Sequence, residues 1–116
     1  MKTLPKDIDP ECIELCNAMN EMPGIETISS CCGHGKIPFE IDFRAKSLEN
    51  LPALLYWFSA CHSSIHGWEV IASTDCGMSP VVFNLRGNIG LNAYKEAARF
   101  AELIRIYLKS ANKLGQ

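Results

Sequence analysis

Phe39-Glu-Ile-Asp-Phe-Arg44 alternates apolar and polar residues without a break, and Val81-Val-Phe-Asn-Leu-Arg86 repeats the apolar positions of that pattern. A two-residue period puts Phe39, Ile41 and Phe43 on one side of an extended chain and Glu40, Asp42 and Arg44 on the other. One buried and one wet face is the pattern of an antiparallel sheet. Val81, Phe83 and Leu85 alternate in the same way with Val82, Asn84 and Arg86.

Each of these strands has a partner just upstream. Ile25 to Ser30 reads as a strand and is joined to Phe39 through the loop Cys31-Cys-Gly-His-Gly-Lys36. Trp68 to Thr74 reads as another, followed by the turn Asp75-Cys-Gly-Met-Ser-Pro80. Helices separate the hairpins. Asp9 is an N-cap and Pro10 suits the first helical position. Ile8 and Ile13 fit a hydrophobic staple, and Cys12, Leu15, Cys16 and Met19 share one face before Pro23-Gly24 ends the element. In the second helix Ser47 or Asn50 is the cap, and Leu51, Leu55, Phe58 and His62 share a face before Gly67. Gly87-Asn-Ile-Gly90 leads to a third helix, capped by Asn92, with a stripe of Ala97, Phe100, Ala101, Ile104 and Leu108.

The order α-ββα-ββα predicts an α+β fold: a four-stranded, mainly antiparallel sheet with its helices packed on one face. The chain of 116 residues is one domain, with an N-terminal helix over 1–23 and ββα blocks over 24–66 and 67–116. The blocks resemble each other. Setting Gly24 on Gly67 puts Glu26, Ile28 and Ser30 on Glu69, Ile71 and Ser73. One inserted residue brings Cys32-Gly33 onto Cys76-Gly77. A contraction of the loop then matches Pro38 with Pro80 and Arg44 with Arg86. This suggests an internal duplication.

Composition narrows the function. At 47% hydrophobic and 21% charged residues, the chain is neither disordered nor low in complexity. A net charge of −2 gives no support to a general nucleic-acid coat, RNA included, or to a polybasic membrane binder. The first ten residues hold no signal-peptide core, and the apolar run Leu51 to Phe58 is too short to span a bilayer. A soluble cytoplasmic protein is the expectation. Its six cysteines, at 12, 16, 31, 32, 61 and 76, match no secreted disulfide scaffold. Cys12, Cys16 and Cys61 read as core, as do Trp57 and Trp68.

The loop after the first strand carries the chemistry. Two thiols, an imidazole and an ammonium within six residues exceed what a turn needs. Cys32 and His34 are zinc-type ligands, and His62 and Cys76 are candidates to complete the set; Cys61 and His66 are further ones. Adjacent Cys31 and Cys32 project to opposite sides of an extended chain, so one of them serves a given site. A second reading is a small anionic ligand, held by the amides of Gly33 and Gly35 with Ser30 and Lys36, and by the Arg86–Gly90 turn through Arg86 and Asn88. A third is catalysis by the Cys31 or Cys32 thiol with His34 as acid or base.

Thr27-Ile-Ser-Ser-Cys-Cys-Gly-His34 resembles the Ser-Ser-Cys-x-Gly-Arg signature of the wybutosine-synthesis methyltransferase family. Ser29, Ser30, Cys31 and Gly33 match, and His34 stands where that family has Arg. The resemblance implies, as an alternative function, a tRNA-modifying methyltransferase-like enzyme using S-adenosylmethionine. Trp57 and His62 are loosely similar to its Trp and His positions. Another alternative is a non-catalytic subunit that docks a protein partner on the polar sheet face of Glu40, Asp42, Asn84 and Arg86. The leading expectation is a small protein with a polar-ligand or metal site at the Cys/His/Gly loop. Matching positions in the two blocks further predict that Cys32, His34 and Cys76 meet at one end of the sheet.

Overall fold

A computed structural model describes residues 7–46, 67–73 and 82–114. Helix α1 spans Pro10–Glu21, strand β1 Ile25–Cys31, a 3-10 turn Gly33–Gly35, β2 Glu40–Ala45, β3 Glu69–Ser73, β4 Val82–Arg86 and helix α2 Leu91–Leu114. The strands form one antiparallel sheet in the order β1-β2-β4-β3, and the helices pack against it. The fold is α+β as the alternation predicts. The expected helix between the hairpins, 47–66, lies outside the described residues.

α1 starts at Pro10 and buries Cys12, Leu15, Cys16, Ala18 and Met19. α2 starts one residue before the expected cap: Leu91 is already helical, and Tyr94 N–H bonds the Gly90 carbonyl. Gly90 adopts φ +82, which lets the chain turn into the helix there instead of at Asn92. The α2 stripe buries Ala93, Ala97, Phe100, Ala101 and Ile104 against Ile41, Phe43 and Leu85 of the sheet. Phe43 and Phe83 face each other in register with ring centroids 5.4 Å apart. Phe39, Trp68 and Phe100 continue this core through tilted and edge-on contacts. Burying aromatic side chains of this size contributes about 2–3 kcal/mol each.

The register shows how the hairpins relate. Glu26 pairs with Arg44, and their sequence counterparts Glu69 and Arg86 pair in turn. Asp42 and Asn84, counterparts of one another, are direct partners across β2 and β4. That pairing sets the two hairpins head to tail, so β1 and β3 run in opposite directions. Cys31, Glu40, Arg86 and Glu69 share one rim, while Ser73 lies at the other with Val82, Arg44 and Glu26. The ends of β1 and β3 therefore do not share a rim, which removes the ground on which the two turns were expected to form one site. Cys76 itself is outside the described residues.

The first hairpin also carries a bulge. Thr27 pairs with Phe43 but Ser29 with Asp42, which leaves Ile28 unpaired. A one-residue slip reverses the facing of everything beyond it. Ser29 and Cys31 thus point to the polar face, and Cys32 turns under the helices, only 2% exposed.

Candidate functional site

The turn after β1 has a backbone that few residues adopt. Gly33, His34 and Gly35 take φ values of +83, +52 and +77 in succession. The glycines bear this easily; an imidazole-carrying residue does so at a cost of about 1–3 kcal/mol. At Gly33 an added Cβ would come within 3.1 Å of the Pro38 carbonyl oxygen. The left-handed turn swings His34 back over Cys32.

Three side chains converge there. Donor atoms of Asp9, Cys32 and His34 lie within 4.8 Å of one another. Cys32 Sγ is 3.7 Å from His34 Nδ1, and His34 Nε2 is 3.8 Å from Asp9 Oδ2. Asp9 does not cap its own helix with its side chain. The carboxylate instead accepts the Cys32 N–H at 2.9 Å. That bond holds the Asp9 carboxyl below its ordinary pKa, against partial burial and with help from the Cys32 side chain and the His34 charge. Burial pushes the Cys32 thiol up, against the opposing pull of the His34 amide and the Tyr94 hydroxyl.

The amides of the turn are engaged within the protein. Cys32 N–H goes to Asp9, Gly33 N–H to Cys31 Sγ and His34 N–H to Cys32 Sγ, the last two at 3.4 Å. The Lys36 and Ile37 amides both bond the Gly33 carbonyl. The concave nest expected for an anion is thus turned inward, onto two sulfurs, a carboxylate and a carbonyl.

The other residues singled out in the sequence are spread apart. Ser30 lies on the inner face beside Cys12 and Cys16, and Lys36 is exposed. Cys31 sits on the polar face. Arg86 is on that face too, its Nε 3.1 Å from Glu40 Oε1. Asn88 ties the β4–α2 connection: its carbonyl accepts Phe39 N–H and its side chain donates to Glu96 Oε1. His62 and Cys76 lie outside the described residues. The methyltransferase-like stretch maps onto β1 and its turn, with Ser29 Oγ donating to Asp42 Oδ2 at 2.9 Å.

Sequence reasoning missed two members, Asp9 and Tyr94. Asp9 has the local pattern of an N-cap, and nothing in the stretch between it and Cys32, 23 positions on, announces the contact. A depression of about 490 Å³ on the helix side is lined by Glu14, Arg99, Glu102, Arg105 and Lys109. Its arginines are paired with acids, Arg99 with Glu102 and Arg105 with Glu21, and it holds none of the residues of the turn. No helix among the described residues is long and apolar enough to cross a membrane. No family model, curated protein or solved structure matches the chain.

Proposed function

We propose that Asp9, Cys32 and His34 hold a divalent transition metal, with zinc the best-suited ion, and leave one position for water or a small polar ligand. The observation that carries this reading is the convergence of three donors within 4.8 Å. Carboxylate, imidazole and thiolate are all zinc ligands, and three protein ligands plus an open position is the composition of a reactive rather than a purely structural centre. Tetrahedral bonds of about 2.0–2.3 Å put neighbouring donors roughly 3.5 Å apart. With one donor atom from each residue the three lie within 4.8 Å, so they draw together by up to about 1 Å on binding. The imidazole now spans Cys32 and Asp9 with its two nitrogens; its side chain is 67% exposed and has room to turn one nitrogen toward both.

Two features favour a metal over the other chemistries. The inward-facing amides leave the turn little with which to grip an anion directly. A nucleophilic cysteine needs an accessible thiol with a depressed pKa. Cys32 is buried and its pKa is raised. A metal ion supplies the positive charge that removes the thiol proton, and N–H···S bonds steady the resulting thiolate.

The test is metal analysis of protein purified without a histidine tag, followed by cobalt(II) titration. One bound equivalent and a thiolate-to-cobalt absorption band are expected. Cys32→Ser, His34→Ala and Asp9→Asn should each weaken binding by about tenfold or more. No stoichiometric metal, or undiminished binding by Cys32→Ser, would overturn the reading.

A further inference from the structure

The two edges of the sheet are finished differently. β1 forms one edge and β3 the other. The outward amides of β1 are taken up at the end of α1: Thr27 N–H donates to Asn20 Oδ1 at 2.8 Å, and Ile25 N–H to the Met22 carbonyl at 3.1 Å. The bulge at Ile28 also breaks the regularity of that strand. β3 has none of these devices. Its residues pair with β4 without a slip, and they include no lysine or proline.

The alternation of ladder bonds tells which groups of β3 face out. Gly87 N–H bonds the Phe39 carbonyl, so Leu85 and Phe83 turn their amides to β2, while Arg86, Asn84 and Val82 turn theirs to β3. Glu69, Ile71 and Ser73 answer them across the ladder. Val70 and Ala72 are left with N–H and C=O aimed away from the sheet, and among the described residues neither has a partner there. An unpaired row of this kind is a template for another strand. We infer that β3 pairs antiparallel with β3 of a second copy of the chain, in the register centred on Ile71.

That register is the one that pairs all 5 residues of the strand. Val70 exchanges its backbone bonds with Ala72 of the second copy, and Ala72 with Val70. Ile71 comes beside Ile71 of the second copy at a non-hydrogen-bonded position, where side chains approach most closely. Ile71 is an apolar residue on the polar face, 39% exposed, and this contact covers it. Glu69, the charged residue of the strand, falls opposite Ser73 and not opposite another carboxylate. The result is a continuous sheet with β1 and the turn of His34 at its far edges, so the pairing needs no metal.

Sedimentation equilibrium on the full, metal-free chain tests it. Wild type should give twice the 12.9 kDa chain mass, and Ala72→Pro the single mass. Proline at 72 removes an outward N–H and leaves the β3–β4 ladder intact. Ile71→Lys and Ile71→Glu should each be monomeric alone and associate when mixed, because the register sets the two positions side by side. Hydrogen exchange on wild-type protein covers the case of a variant that folds poorly: the Val70 and Ala72 amides should slow as concentration rises, while that of Thr27 stays the same. A wild type that remains monomeric at high micromolar concentration overturns the proposal. A dimer that survives Ala72→Pro, folded Ile71 variants that fail to associate on mixing, or Val70 and Ala72 amides indifferent to concentration overturn it as well.

Discussion

The amide of Cys32 donates to the carboxylate of Asp9 at 2.9 Å, so the residue that precedes α1 is fastened to the residue that follows β1. A hydrogen bond to a charged acceptor is worth about 1.5–3 kcal/mol. Asp9→Ala should lower unfolding free energy in urea by about that amount, and Asp9→Asn, which keeps an acceptor, by less. Equal stabilities for Asp9→Ala and wild type would show that the bond contributes nothing to folding.

Cys31 and Cys32 are chemical neighbours with opposite surroundings. Cys31 is partly exposed on the polar face, and Cys32 is buried together with Cys12 and Cys16. Mass-spectrometric mapping after brief alkylation of native, metal-free protein should find Cys31 modified well before Cys12, Cys16 and Cys32. Deleting Ile28 removes the extra residue but keeps Ser29, Ser30 and Cys31 opposite Asp42, Ile41 and Glu40, so the order of the adjacent pair should be unchanged. Simultaneous labelling of Cys31 and Cys32 would contradict the assigned facing.

The two glycines of the turn should respond differently to alanine. Both have positive φ, which costs an alanine about 1–2 kcal/mol. Gly35 has open space around it, whereas Gly33 faces the Pro38 carbonyl at 3.1 Å. Gly33→Ala should therefore lower the melting temperature more than Gly35→Ala. The reverse order would refute the close approach at Gly33.

Alkaline pH should expose the buried thiols of α1. Burial pushes Cys12 from an ordinary 9.0 up to about 12, and Cys16 is raised for the same reason. The folded protein retains protons that the unfolded chain releases near pH 9. The stabilising contribution is complete below pH 9 and falls as pH rises toward 12. Urea titrations across that range should show a decline that is shallower in Cys12→Ala than in wild type. An identical slope in both proteins would exclude Cys12 as a cause.

The order of strands and helices was legible because alternation and capping are local. Phe39 to Arg44 announces its buried face residue by residue, and the burial of Ile41 and Phe43 follows from it. The bulge was not legible, because an extra residue at Ile28 leaves the composition of β1 unchanged and appears only when β2 is laid beside it. The direction of β3 was not legible for a similar reason: pairing between β2 and β4 decides it, and neither strand states its partner. Cys32 and His34 stood out as chemistry packed into one loop. Asp9 and Tyr94 reach them from elements distant in the chain, so only the packing of α1 and α2 reveals them.

The meeting of Asp42 with Asn84 at the centre of the sheet carries a constraint on symmetry itself. A residue on a twofold axis between two identical chains must face its own copy. In such a pair Asp42 would oppose a second aspartate, setting two negative charges side by side. Within a single chain the two positions are free to differ. Here one supplies the acceptor and the other the donor, Asn84 Nδ2 lying 2.8 Å from Asp42 Oδ1. Carrying both hairpins in one polypeptide thus permits a carboxylate–amide pair at a place where a symmetric dimer of the first hairpin would set two aspartates together.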